Sequence, residues 1–154
     1  MVAVDWQFQQ GMVYEQYKNG DDMGLIKTKI MLANPRDPEL KPLQVTAMAD
    51  TGALHLCVPE HVAVQLQLQE LDRREVTVAD GSKRACAYVG PVEVKFQNRA
   101  CYTGALVLGD EVLLGAVPME DMDLVLSPAR RAITVNPDTP NLAGSVVKAV
   151  KKQS

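Results

Sequence analysis

The sequence predicts an all-β domain: a closed or partly closed barrel with one or two short helices. Three observations lead there. Short stretches alternate apolar and polar residues with a period of two, turn signals separate them at close intervals, and very few stretches take a helical rhythm.

Taken in order, the first strand pattern is "GLIKTKIML", where Ile26, Thr28, Ile30 and Leu32 share one face and Lys27 and Lys29 the other. The prolines and charges of "NPRDPELK" mark a surface loop. "PLQVTAMA" alternates again through Leu43, Val45, Ala47 and Ala49, and "ALHLCV" resumes the period through Leu54, Leu56 and Val58. "PEHVAVQLQL" breaks it: Pro59 suits a first helical position, Glu60 the positive end of a helix dipole, and Val62, Ala63 and Leu66 a narrow apolar stripe. "REVTVADGSKRACAYVGPVEVKF" reads as a hairpin turning at Asp80-Gly81, with a bend at Gly90-Pro91 before Val92, Val94 and Phe96. "QNR" turns the chain into "ACYTGALVLG". "DEVLLGAVPMEDMDLVL" holds a buried strand and a helical turn around Pro118–Met122, and "SPARRAITV" makes a last hairpin.

The domain is expected to span residues 23–140. Residues 1–22 follow no clear period and read either as an added arm or as a leader outside the fold, and residues 141–154 as a tail with room for a weak helix from Asn141. A chain of 154 residues with 47% apolar and 23% charged side chains suits one domain with a core of its own. A net charge of −3 and scattered Lys and Arg exclude nucleic acid as the expected partner. No apolar run approaches the ~20 residues of a membrane helix, so no membrane partner is expected. The first residues do not resemble a secretory signal. Cys57, Cys86 and Cys101, odd in number and without CxxC pairing, read as reduced core thiols. The cytoplasm is therefore the expected compartment. His55 reads as a sheet-surface residue and His61 as helical, and neither has ligand-spaced partners. No metal and no cofactor are expected. Met119 and Met122 read as core or pocket fillers, and Glu120, Asp121 and Asp123 as solvated residues on a helical turn.

One carboxylate stands out. Asp50 lies in a Thr-Gly turn between two apolar strands, so it is presented from the domain interior. Asp favours turns for its own hydrogen bonds, and an isolated D-T-G is not specific. A single carboxylate cannot be both acid and base in peptide hydrolysis, whereas two held close share a proton and divide the roles. The only other candidate, "PDTP" at Pro137–Pro140, ends in proline and cannot form the same turn. A second Asp50 would have to come from a second copy of the chain.

"MADTGALHLCVPEHV", the "VTVADGS" hairpin and "VLLGAVPMEDMDLVL", in that order, resemble the retropepsin-like aspartic proteases, most of all their bacterial single-domain members. The resemblance implies a closed β-barrel of the acid protease fold working as a homodimer on polypeptide substrates. It implies that Asp50 is catalytic, that Thr51, Gly52 and Ala53 support the active-site loop, and that Val78, Ala79, Asp80 and Gly81 form a flap over the substrate. It also implies that Leu113, Leu114 and Gly115 are a strand beside the catalytic loop that walls a pocket. Retroviral members usually carry Asp and Arg where this chain has Leu54 and Ala116, and their flaps have more than one Gly. The expected activity is that of an aspartic endopeptidase. The alternative is a non-catalytic binding or dimerisation module that keeps the fold.

Overall fold

The computed structural model describes residues 25–77 and 80–150. Its elements run β1 (Lys27–Ala33), β2 (Leu43–Ala49), β3 (Leu56–Val58), α1 (Glu60–Gln65), β4 (Gln69–Thr77), β5 (Lys83–Phe96), β6 (Arg99–Val107), β7 (Val112–Leu114), α2 (Ala116–Asp121), β8 (Leu124–Ser127) and β9 (Ala132–Val135). The expected all-β class with short helices is the class observed.

Seven strands share one sheet in the order β1-β2-β7-β3-β6-β5-β4, and β1 also pairs with β5. Six of them thereby close into a barrel, which removes their free edges. β4 hangs outside the ring, paired with β5 as the second arm of a long hairpin. β8 and β9 form a separate two-stranded ribbon.

The period-two reading of β1 holds. Ile30 and Leu32 face inward and are buried with Leu56, Val58, Val92, Val94, Leu114 and Met122 in the main core. Met119 joins them. All three cysteines are buried and free. A second apolar cluster stands beside the main core. It joins Met48 of β2, Ala53 and Cys57 after it, Val76 and Cys86 of the β4–β5 hairpin, and Leu113 of β7.

Several boundaries differ from expectation. β3 is confined to Leu56–Val58, because Ala53 and Leu54 are bonded to the start of α2 instead of to a neighbouring strand. β4 begins at Gln69, well before the expected "REVTV", and its first five residues are all exposed. Their strand is held by pairing with β5, so burial leaves no apolar signature. β5 runs unbroken through Gly90-Pro91, with its register against β6 shifting between Val89 and Val92. The bend is an irregularity within one strand. Pro59 caps α1 from outside, in extended geometry, and α2 starts at Ala116 with Gly115 as its cap. Residues 141–150 form no helix. The arm expected over residues 1–22 lies outside the described residues.

Candidate active site

Asp50 follows the last residue of β2, and the backbone fixes it from two directions. Its N–H donates to the Leu114 carbonyl at 3.1 Å, and its own carbonyl accepts from the Ala53 N–H at 3.0 Å. The side chain closes the turn: Oδ1 accepts from the Gly52 N–H at 2.8 Å. Oδ2 is buried and has no hydrogen-bond partner among the described residues. Asp50 is only 9% exposed. Burial pushes its carboxyl above the usual carboxylate range, against the opposing pull of the Gly52 and Ala53 amides. One oxygen is thus held by the turn while the other is available. A carboxyl so placed can give or take a proton at a higher pH than a surface Asp.

β7 holds this loop in place. It runs parallel to β2, with Met48 opposite Leu113 and Ala49 opposite Leu114. Just beyond it, the Ala116 and Val117 N–H groups donate to the Ala53 and Leu54 carbonyls, each at 2.8 Å. Gly115 lies between β7 and α2, and a Cβ there would stand 2.3 Å from the His55 carbonyl oxygen. The strand "VLL" followed by Gly therefore sits beside the Asp50 loop. Leu113 and Leu114 are fully buried in this single chain, on opposite sides of β7 in the second cluster and the main core. Ala53 is buried, Gly52 partly buried and Thr51 exposed.

The hairpin joins the same apolar cluster as the loop, through Val76 and Cys86 on Ala53's side of the core. At its turn the Asp80 Oδ1 accepts from the Ser82 N–H at 2.8 Å, and Gly81 takes φ +86°. Val78 and Ala79 lie outside the described residues. An open depression of about 280 Å³ on the hairpin's flank is lined by Arg73, Arg84, Cys86 and Leu108, and Asp50 does not line it.

Two side-chain groups escape sequence reading. His55 is not a sheet-surface residue: it sits in the loop before β3 and meets the Tyr88 ring, over which Arg74 also stacks. The three members of this stack come from separate elements, so no local pattern announces them. Asp123 is not a solvated residue either. It accepts hydrogen bonds from the Asn136 amide, the Thr139 hydroxyl and the Gly144 N–H, and it faces buried Arg99. The signal available was an arginine on a strand otherwise rich in apolar residues. Among the described residues, no group of three His, Cys, Asp or Glu side chains could hold a metal ion. None of their helices is long and apolar enough to cross a membrane.

No protein-family model matches the chain. No curated protein matches it in sequence either. Among solved structures the chain is similar to the solution structure of the simian foamy virus (mac) protease, at 18% identity and a TM-score of 0.40, over 60% of this chain and 91% of that one.

Proposed function

We infer that the chain is an aspartic endopeptidase of the retropepsin-like, single-domain kind, working as a homodimer with one Asp50 from each copy. The observation that carries this reading is the buried Asp50 carboxyl, tied through Oδ1 and unpartnered at Oδ2. Two such groups brought together share a proton. The ionised one draws a proton from water as it attacks the scissile carbonyl, and the protonated one polarises that carbonyl and then donates. Thr51 and Gly52 keep the turn that presents the carboxyl, and Leu114 and Gly115 anchor it from beneath. In this reading the hairpin carrying Asp80 and Gly81 serves as the flap that covers a bound peptide. Apolar side chains around the loop that keep some exposure, Leu54 among them, favour extended peptides with bulky apolar residues at the scissile bond.

The test is cleavage of a mixed peptide library from about pH 3.5 to about pH 7.5 by the full chain and by Asp50→Asn. Cuts are expected with the unaltered chain only, strongest at acidic pH and declining once both carboxyls ionise. Cuts that persist in Asp50→Asn, or a rate rising steadily towards alkaline pH, would exclude this mechanism.

A further inference from the structure

Arg74, Tyr88 and His55 are distant in sequence and meet in one stack. The guanidinium carbon of Arg74 lies 4.1 Å from the Tyr88 ring centroid. His55 meets the same ring edge-on, with centroids 5.7 Å apart and planes inclined by 66°. The ring lies over Gly104, where a Cβ would come within 2.2 Å of its Cζ. Any side chain at that position would displace Tyr88, so the bare backbone of β6 is what lets the stack form.

The stack stands at the edge of the candidate active site. His55 belongs to the loop that begins at Asp50. Tyr88 packs against the second apolar cluster, which includes Ala53, Cys57, Val76 and Leu113. Arg74 and Val76 are two apart on β4 and therefore share a face. The three side chains thus meet where the loop that begins at Asp50 contacts the hairpin.

The chemistry of the stack is that of a carboxylate receptor. A guanidinium lying over a ring keeps its N–H donors in its own plane, directed outward. Among the described residues only Nε is used, donating to Asp72 Oδ2 at 3.1 Å. The terminal nitrogens offer the edge that takes a carboxylate in a bidentate fashion. The Tyr88 ring gives the methylene stem of an acidic side chain an apolar surface. Burial and the neighbouring Arg74 charge hold the His55 imidazole below its usual pKa, which favours the neutral ring beside the cation at neutral pH.

We propose that Arg74, Tyr88 and His55 form a substrate subsite that selects an Asp or Glu side chain flanking the apolar residues at the scissile bond. The term substrate rests on the endopeptidase reading; the peptide contact itself does not require Asp50 chemistry. Asp72 competes for the same guanidinium, so a peptide carboxylate engages the edge that Asp72 leaves open.

The experiment uses C-terminally amidated octapeptide pools with an apolar central pair and either Glu or Gln fixed at one flanking position. Amidation leaves the side chain as the carboxylate under test. Binding is read by fluorescence anisotropy at about pH 7, where the Glu side chain is ionised, on the full chain carrying Asp50→Asn, which keeps the peptides intact. At one flanking position the Glu pool is expected to bind about tenfold more tightly than the Gln pool. Adding Arg74→Met, which keeps an unbranched apolar stem over Tyr88, brings that ratio near one, and Arg74→Lys leaves an intermediate value. Asp72→Asn raises it, because the competing carboxylate is gone. A ratio near one at every position, a ratio unmoved by Arg74→Met, or no binding of either pool overturns the subsite. Cleavage by the chain with Asp50 intact is read separately. A Glu preference without any cleavage overturns the endopeptidase reading and supports the subsite.

Discussion

A methyl group on Gly115 would lie 2.3 Å from the His55 carbonyl oxygen, 2.8 Å from that of Ala53 and 2.8 Å from the Leu54 carbonyl carbon. All three atoms are backbone of the loop that carries Asp50, so no side chain can swing away to make room. Gly81 offers the opposite case: its backbone is left-handed at φ +86°, but a Cβ there meets nothing within 4 Å. Gly81→Ala is therefore expected to cost about 1 kcal/mol, from conformation alone. Gly115→Ala should cost roughly 1–3 kcal/mol by overpacking. It should also push Ala53–His55 outward and tilt the Asp50 carboxyl with them. Paired measurement of thermal unfolding and of kcat checks this. Gly115→Ala is expected to lower both, whereas Gly81→Ala is expected to retain the Asp50 geometry. Equal effects of the two substitutions on stability would show that the loop yields to the added methyl.

At the scale of elements, the ends of β6 and α2 are joined to the segment after β9 by a buried charge. The Arg99 side chain is 1% exposed; it donates to the Met122 and Thr139 carbonyls and lies 3.8 Å from the Asp123 carboxylate. Asp123 in turn collects Asn136, Thr139 and Gly144. The hydrogen bond from the Thr139 hydroxyl, followed by those from Gly144 and Asn136, holds its pKa down at about 2, from an ordinary value of 3.8. A carboxyl depressed by folding stabilises the native state above its unfolded pKa, and that contribution is lost as pH falls through the folded value. The midpoint of thermal unfolding should therefore drop between about pH 4 and about pH 2. Asp123→Asn should be less stable than the unaltered chain at neutral pH and lose less across that acidic window. A variant as stable as the parent at neutral pH would remove the carboxylate from this role. The same network shows why parts of the fold are legible in sequence and others not. β1, β2 and the Asp80-Gly81 turn are local patterns, fixed by alternation and by turn chemistry within a few residues. The start of β4 is not, because Gln69–Arg73 are exposed and owe their strand to a partner many residues away. Asp123 and the His55–Tyr88–Arg74 stack are contacts across elements, invisible until the chain closes. Asp50 is legible for a different reason. A carboxylate confined between two apolar strands signals burial through its immediate neighbours alone, whereas the close backbone approach at Gly115 shows only in the folded chain.

At the scale of the whole molecule, barrel closure brings β7 between β2 and β3, so the loop after β2 rests on the strand that precedes α2. Each chain assembled in this way presents one buried Asp50 and, among the described residues, no second buried carboxyl. The described chain also leaves Leu142, Val146, Val147 and Val150 at least 65% exposed, apolar surface that association would remove from water. If the working unit is two copies, the activity of a mixture is not the sum of its parts. Mixing the unaltered chain with an equal amount of Asp50→Asn, under conditions that let subunits exchange, scatters the active chains among pairs. About half of them then face an Asn and lose the second carboxyl, so activity per unaltered chain should fall to about half, and further as the variant is raised. Diluting the unaltered chain alone should lower its specific activity once pairs dissociate. A chain complete by itself would show neither effect: its activity would follow its own concentration, whatever amount of Asp50→Asn was added. The mixing series thus separates one site per pair from one site per chain, and it does so without requiring the natural substrate.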